Sequence, residues 1–303
     1  MDFSVTILGS GAAVPTLSRG TTAQLINCHQ RHILIDCGEG TQLQMRRFKV
    51  KFQQVQLILI SHLHGDHVFG LPGLISTMQL LGRKQKLTII GPKGIKEFLE
   101  AQFKQTGLYQ GFPIEYIELD KEKTGKVWED KCLEITTFPL KHRIATHGYR
   151  IQEKEGNRRL DNDAFEKTGV SVSYIQKLIS GEDIEDNQGR VVKSQNVTFP
   201  PRPVKSYAFC SDTAFHSPII EAIKDVDLLY HEATFIEKEA NRAVETYHST
   251  AKQAATIALK AGAKRLILGH FSARYRTFEK HFEEASSIFE PVFIPEDGEQ
   301  FVV

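Results

Sequence analysis

The chain of 303 residues carries 38 Lys and Arg against 37 Asp and Glu, so its formal net charge is only +1. This balance excludes a uniformly basic RNA-coating protein and an acidic disordered tail. The length predicts two domains or one large layered α/β unit. Hydrophobic residues make up 41% and charged residues 25% of the chain, which is typical of a globular protein.

The cysteines and the apolar runs indicate the compartment. The four cysteines form no CxxC pair, which is typical of reduced thiols in a cytoplasmic protein. No apolar run approaches the roughly 18 residues that a membrane span needs, and the N-terminus lacks the regions of a secretory signal. We therefore expect a soluble cytoplasmic protein with no membrane partner.

Short apolar runs bounded by turn residues predict strands along most of the chain. In chain order the predicted strands are 5–8, 32–36, 57–60, 87–90, 135–138, 206–210, 228–230 and 265–268. Apolar residues at helical spacing, with capping residues at the ends, predict helices over 92–103, 249–261 and 278–289. This mixture predicts an α/β protein in which two sheets pack together under outer helices.

The segment 151–205 breaks this pattern, because it is polar, contains four glycines and ends on Pro200-Pro201-Arg202-Pro203. Its nine basic residues balance nine acidic ones. Since a structureless loop of this length is rare in a compact domain, we expect an arm, a lid or a small subdomain. Short helices are predicted within it at 163–167 and 171–179.

The strongest chemical signal is the run of three His and one Asp in Ser61-His62-Leu63-His64-Gly65-Asp66-His67, directly after the predicted strand 57–60. Imidazole and carboxylate are ligands that suit Zn²⁺. Alternate residues leaving a strand can converge on one ion while Asp66 and His67 turn toward a second. The pattern therefore predicts a metal centre; a loop that is merely rich in histidine is the simple alternative.

A site for two ions needs further ligands, and three occur just past predicted strands: His142, Asp212 and His270. Open α/β sheets collect their ligands at the carboxyl ends of strands. By composition alone, His147 is an equal alternative to His142.

Several further motifs accompany these ligands. They occupy residues 8–16 with Arg19, 36–42, 70–74, 148–150, 211–213, 231–235, 248–250 and 270–275. Together with 61–67, they resemble the metallo-β-lactamase superfamily and, within it, the ribonuclease Z family, over nearly the whole chain. The His-x-His-x-Asp-His element is shared across the superfamily, whereas the combination of 231–235, 248–250 and 272–275 is narrower.

The resemblance implies a four-layer αβ/βα sandwich, with residues 1–303 as one catalytic domain and 151–205 as an inserted flexible arm that binds tRNA. It implies a zinc-dependent endoribonuclease that removes the 3′ trailer of precursor tRNA, leaving a 3′-hydroxyl on the tRNA and a 5′-phosphate on the trailer. It further implies a homodimer. Three departures from the family pattern are an arm tip without proline, Gly20 after Arg19, and Ser211 before Asp212.

The resemblance also distributes the ligands over two Zn²⁺ ions per subunit. One ion would be held by His62, His64 and His142, the other by Asp66, His67 and His270, with Asp212 bridging. In the family, five residues separate this ligand from a Gly-Tyr pair, and residues 143–147 form the same interval here, which favours His142 over His147.

Further residues are candidates for the chemistry. Asp66 could deprotonate or orient the attacking water, and His248 could protonate the leaving 3′ oxygen with Glu232 as its orienting partner. Arg274 and Tyr275 follow His270 closely, so they could contact the phosphate or stack on a base. The simpler interpretations are a local helix-entry role for His248 and a structural role for Tyr275.

Three other functions compete with this one. Redox chemistry at a di-iron site on the same fold would require an appended flavin domain and more carboxylate ligands than this chain offers. A small-molecule phosphodiesterase on the same fold would keep the seven ligands but would need no arm, and a non-catalytic RNA-binding module should have lost ligands. The near-zero net charge is unusual for an RNA-binding protein, because phosphate binding normally relies on Lys and Arg.

Overall fold

The computed structural model describes residues 3–108 and 111–303. The chain divides into two compact units. One unit comprises the chain up to residue 129 together with 134–152 and 205–303, and the other comprises 130–133 and 153–204.

Strands and short helices alternate along the described chain. The strands are β1 Phe3–Gly9, β2 Gly11–Ala12, β3 Ala23–Cys28, β4 Arg31–Ile35, β5 Val55–Leu59, β6 Leu87–Pro92, β7 Ile114–Leu119, β8 Gly125–Glu129, β9 Leu133–Pro139, β10 His147–Glu153, β11 Arg159–Leu160, β12 Ile184–Glu185, β13 Val191–Val192, β14 Thr198–Phe199, β15 Ser206–Cys210, β16 Leu228–Glu232, β17 Leu266–Gly269, β18 Phe271–Ser272, β19 Val292–Phe293 and β20 Gln300–Val302. The α-helices are α1 Thr41–Arg47, α2 Gly65–Val68, α3 Leu71–Leu80, α4 Ile95–Thr106, α5 Asn162–Thr168, α6 Ile175–Ile179, α7 Ala240–Thr246, α8 Ala251–Ala261 and α9 Glu279–Ser286. Short 3₁₀ turns occupy Phe52–Gln54, Val172–Tyr174, Ser194–Asn196, Ser217–Ile220 and Glu237–Glu239.

Two seven-stranded sheets form the framework of the larger unit. Their strand orders are β20-β1-β3-β4-β5-β6-β7 and β19-β17-β16-β15-β10-β9-β8. The hydroxyl of Tyr149 on β10 donates a hydrogen bond to the carbonyl of Ile60, just past β5, at 2.7 Å. Since both residues are fully buried, this bond ties the facing sides of the two sheets together.

Helices cover the outer face of each sheet. Buried apolar residues of α3 and α4 share one core cluster with the first sheet. Those of α8 and α9 share another with the second sheet. The predicted four-layer α/β sandwich is therefore confirmed, because each amphipathic helix buries its apolar stripe against a sheet.

The starts of α4 and α8 have different causes, strand pairing for the first and a local cap for the second. The predicted helix 92–103 is displaced, because Pro92 continues β6 opposite Leu119 and the helix begins only at Ile95. Helix α8 begins at Ala251, since Thr250 and Gln253 form a capping box, and it ends before Gly262 at φ 66°.

The smaller unit has its own apolar core. It buries Phe165, Val170, Leu178, Ile184, Val192 and Val197 against one another. Helix α5 is capped by Asp161, whose side chain accepts a hydrogen bond from the Ala164 amide at 3.0 Å. Of the three forms considered for this segment, a small subdomain agrees best with such a core.

Parallel pairing in both sheets sets the position of the candidate site. In the first sheet β4, β5, β6 and β7 run parallel, as β15, β16, β17 and β19 do in the second. Their carboxyl ends lead into the segments that contain residues 61–67, 211–213 and 270. No helix among the described residues is long and apolar enough to cross a lipid bilayer.

Candidate metal centre

A first group of ligand atoms assembles around His64, whose Nδ1 lies 2.9 Å from Nε2 of His62. The same Nδ1 lies 3.2 Å from Nε2 of His142. Oδ2 of Asp212 lies 3.7 Å from the His62 nitrogen and 3.8 Å from the His142 nitrogen. Residues from three separate segments therefore converge on one point.

A second group assembles beside the first. Oδ2 of Asp66 lies 3.5 Å from Nε2 of both His67 and His270. Oδ1 of Asp212 lies 3.4 Å from the His67 nitrogen and 3.1 Å from the His270 nitrogen. The two oxygens of Asp212 thus face different groups, as a bridging carboxylate requires.

These separations can be compared with those around a tetrahedral ion. Atoms bonded to one zinc at about 2.1 Å with tetrahedral angles lie about 3.4 Å from one another. The distances are 2.9–3.8 Å in the first group and 3.1–3.5 Å in the second. Both groups could therefore hold an ion without rearrangement of the backbone.

Unpaired nitrogens support this interpretation. Within residues 3–108 and 111–303, Nε2 of His67 and Nε2 of His270 are buried and have no hydrogen-bond partner. Buried polar atoms nearly always have a partner, so an orphaned pair that points at two carboxylates fits metal ligation.

The two groups differ in the protonation of their histidines. Burial lowers the pKa values of His62, His64 and His142, which keeps these rings neutral and able to bind a cation. Burial would also lower the pKa of His67, but the charges of Asp212 and Asp36 raise it well above its ordinary value. The second group therefore carries an excess of negative charge that attracts a cation.

Side chains behind the ligands fix their orientation. Asp36, directly after β4, accepts hydrogen bonds from His67 Nδ1 at 2.7 Å and from the Ser61 amide at 2.7 Å. Oγ1 of Thr234 lies 2.9 Å from Nδ1 of His270, and the carbonyl oxygen of Tyr247 lies 3.0 Å from Nδ1 of His142. The contacts to His67, His270 and His142 place the hydrogen of each ring on Nδ1 and leave Nε2 available to a metal.

The backbone around the ligands is held in unusual conformations. Eight residues other than glycine have a positive φ in the described chain, and four of them lie at this site. They are Ala13 at φ 56°, Asp36 at 56°, Tyr247 at 60° and His270 at 57°. The Ala13 amide donates to Asp66 Oδ2 at 2.8 Å. Such backbone strain concentrates at functional sites, where the surrounding structure holds it in place.

His248 and Glu232 form a buried pair beside the ligands. Nδ1 of His248 donates to Oε1 of Glu232 at 2.9 Å. Burial alone would lower the pKa of His248, but the charge and hydrogen bond of Glu232 raise it to about 9. Glu232 is itself fixed by the amides of Thr213 and Ser249 at 2.7 and 3.0 Å. The ring is therefore oriented and protonated at neutral pH.

The ligands open onto a cavity of about 290 Å³. Its walls include His64, Asp66, His142, Asp212, His248 and His270, together with Arg143, Arg242 and Arg274. Positive charge at the mouth and carboxylates at the base suit a phosphate substrate bound to cations.

Comparison with known proteins identifies the family. The family model described as "Anti-Pycsar protein Apyc1" matches residues 3–156, and that of the beta-lactamase superfamily domain matches residues 176–271. Ribonuclease Z of Parabacteroides distasonis is 44% identical over 297 residues, 98% of each chain. Ribonuclease Z of Porphyromonas gingivalis strain W83 is 45% identical over 289 residues, 95% of each chain. The chain belongs to the ribonuclease Z family.

A solved structure agrees with this membership. The crystal structure of human tRNase Z, short form, superposes with a TM-score of 0.73 at 27% identity and covers 98% of both chains. The resemblance inferred from the motifs is thereby confirmed. As a member of the ribonuclease Z family, the chain is a metal-dependent hydrolase of phosphodiester bonds.

Of the remaining sequence candidates, the structure places some at the centre and others away from it. Arg274 lines the cavity. Tyr275 does not line this cavity. Its hydroxyl accepts a hydrogen bond from the Ile236 amide at 3.3 Å, and its ring packs on His281. His147 is fully buried and joins none of the ligand clusters of the described chain. The geometry therefore favours His142 as ligand and a structural role for Tyr275.

Sequence reasoning missed the residues that hold the ligands. Asp36 lies in the motif 36–42 and at the carboxyl end of the predicted strand 32–36, but the sequence alone assigned it no contact with a ligand. No spacing or residue type in the sequence marks Thr234 or Ser61 as a residue that orients a ligand. Only the position of Asp36 at a strand end was a signal that could have found it.

Proposed function

We propose that the chain is a zinc-dependent endoribonuclease that cuts the 3′ trailer from precursor tRNA, leaving a 3′-hydroxyl on the tRNA and a 5′-phosphate on the trailer. The observation that supports the proposal is the clustering of all seven candidate ligands in a chain that aligns with ribonucleases Z over nearly its full length. His62, His64 and His142 would hold one Zn²⁺, Asp66, His67 and His270 would hold the other, and Asp212 would contribute to both.

The donor set favours zinc. Imidazole nitrogens dominate both groups, and the spacing of the donor atoms agrees with tetrahedral ligation. Zn²⁺ supplies two things at such a site: it lowers the pKa of a water to about 7 and it neutralises charge on the phosphate.

The residues of the chain then have distinct tasks. Asp66 reaches the cavity with 12% of its side chain exposed, so it orients the attacking water and accepts its proton. His248 keeps its Nδ1–H on Glu232 and presents Nε2–H to the leaving 3′ oxygen. Arg274, whose guanidinium lies 5.1 Å from the centre of the Phe235 ring, contacts the phosphate.

The smaller unit extends the proposal to the substrate and the assembly. A subdomain with its own core, inserted at the position of the family arm, favours a substrate much larger than a small phosphodiester. We propose that this subdomain is the arm that binds tRNA. By analogy with the family, we also propose that the protein is a cytoplasmic homodimer in which the arm of one subunit binds the tRNA that the other subunit cuts. Size-exclusion chromatography with light scattering tests the dimer.

The test of function uses a precursor tRNA with a 3′ extension. The purified protein should release the trailer with a cut 3′ of the discriminator base, and a chelator should abolish the cut. Asp66→Ala should be inactive, whereas Asp227→Asn, a buried carboxylate remote from the cavity, should still cut. Hydrolysis of a small phosphodiester without cleavage of the tRNA would favour the small-molecule phosphodiesterase instead.

A further inference from the structure

We propose that Arg143 and Arg242 bind backbone phosphates of the tRNA acceptor end, on the 5′ side of the cleaved bond. This inference rests on the proposed function and adds two residues that bind the substrate. It addresses how a chain of net charge +1 holds a polyanion, since electrostatic binding to nucleic acid depends on local Lys and Arg.

The two arginines both contact Glu245. Arg143 directly follows the ligand His142, and its Nη2 donates to the Glu245 carbonyl at 3.3 Å. Arg242 lies on α7, and its Nη1 is 3.1 Å from Oε2 of the same Glu245. Both side chains also line the cavity that contains the ligands, so their charges act at its mouth.

These contacts leave most of the guanidinium donors available. A guanidinium carries five N–H groups, and the bonds to Glu245 use one from each arginine. Both arginines are exposed, and an exposed ion pair such as Arg242–Glu245 contributes little to stability, so a phosphate can compete with it. Arg143 makes only a single bond to a backbone carbonyl. Arg274, the third arginine that lines the cavity, is paired with Glu239 at 3.1 Å.

The position of His248 indicates which side of the cut they serve. His248 follows α7 after one residue, and its ring lies 5.2 Å from that of His142. If His248 protonates the leaving 3′ oxygen, the last tRNA nucleotide lies on this side. The arginines are therefore next to the acceptor end rather than the trailer.

The neighbouring cavity differs in charge. It shares Ala13, His64 and Asp66 with the first and is otherwise lined by Thr21, Glu39, Gly65 and Phe69. Among its lining residues in the described chain there is no Lys or Arg. Phosphate contacts by guanidinium groups are thus concentrated on the His248 side.

The experiment measures binding of metal-loaded protein to a mature tRNA that ends in a 3′-hydroxyl, at a series of salt concentrations. Arg143→Gln/Arg242→Gln should weaken binding and reduce the slope of log K against log[salt] by about 0.7 to 1 for each arginine. The matched control Arg47→Gln/Lys104→Gln removes two charges away from the cavity and should keep the wild-type slope.

Kinetics provide the second readout. The ratio of kcat/KM for precursor tRNA to that for bis(4-nitrophenyl) phosphate should fall at least tenfold in the arginine double variant. A slope equal to that of the control, or a binding loss confined to trailer-bearing RNA, would overturn the inference. Failure of wild-type protein to cut precursor tRNA would instead count against the proposed function.

Discussion

Replacing Asp36 by asparagine tests whether an uncharged side chain of the same shape can hold a ligand histidine. The Asp36 carboxylate is fully buried and receives three hydrogen bonds. Oδ1 accepts from the Ser61 amide at 2.7 Å, and Oδ2 accepts from Ser61 Oγ at 2.8 Å and His67 Nδ1 at 2.7 Å. The substitution removes the charge that keeps the His67 ring oriented and basic.

The expected losses of stability and of metal affinity follow from these hydrogen bonds. An asparagine NH₂ must occupy one of the two oxygen positions, where it faces either the Ser61 amide or the His67 Nδ1–H, so donors oppose each other. Leaving a buried donor unpaired costs about 1–3 kcal/mol of stability. Loss of a carboxylate behind a metal-bound histidine typically lowers metal affinity 10–100-fold, which is about 1.4–2.8 kcal/mol.

Competition with a chromophoric chelator measures the affinity, and urea unfolding of the metal-free protein measures stability. The matched control is Asp227→Asn, because Asp227 is also buried and accepts from the Ser206 amide at 2.9 Å and from Lys264 at 2.8 Å. Both variants should lose stability, but only Asp36→Asn should lose metal affinity. Equal affinities in the two variants would refute the reasoning.

Two further predictions concern the proton donor and the packing of the centre. If protonated His248 is the acid, activity is lost as the pH rises through its pKa. Glu232→Gln removes the negative charge that raises this pKa, so the alkaline limb of the kcat/KM profile should move to lower pH. An alkaline limb at the wild-type pH would contradict the pairing of His248 with Glu232. Gly38→Ala would place a Cβ 2.1 Å from the carbonyl oxygen of Asp66, so thermal unfolding should show that the free energy of unfolding falls by about 1–3 kcal/mol. Gly73→Ala, in α3 with only ordinary contacts at 3.6 Å, should be neutral or stabilising, and similar losses in both variants would contradict the packing argument.

The clustering of the candidate ligands was predictable because their sequence signal is local. Three His and one Asp follow a buried strand within six residues, and His142, Asp212 and His270 each stand past the end of another strand. Parallel strands place their carboxyl ends together, so the convergence of these residues follows from topology alone.

The residues that orient the ligands were not predictable in the same way. Asp36 reaches Ser61 and His67 because β4 lies beside β5 with Ile35 opposite Leu59, a register that the sequence does not state. The Tyr247 carbonyl reaches His142 only through a turn of the backbone at φ 60° after α7. Contacts of this kind depend on tertiary position rather than on residue type.

Periodicity identified strands better than helix ends. The strand 206–210 was placed correctly, whereas the helix expected from Pro92 begins at Ile95, because pairing with β7 retains Pro92 in β6. Helix α3 was not predicted, since Pro72 and Gly73 in its first turn resemble a loop. Tertiary pairing overrode local propensity in the first case, and tolerance of proline in a first turn explains the second.

Elemental analysis of the purified protein, with the Asp212→Ala variant beside it, measures the number of metal ions per chain. Because each Asp212 oxygen faces one ligand group, the wild type should contain two zinc ions per chain and the variant fewer than one. A wild type with no bound metal, or a variant that retains both ions, would contradict the dinuclear centre.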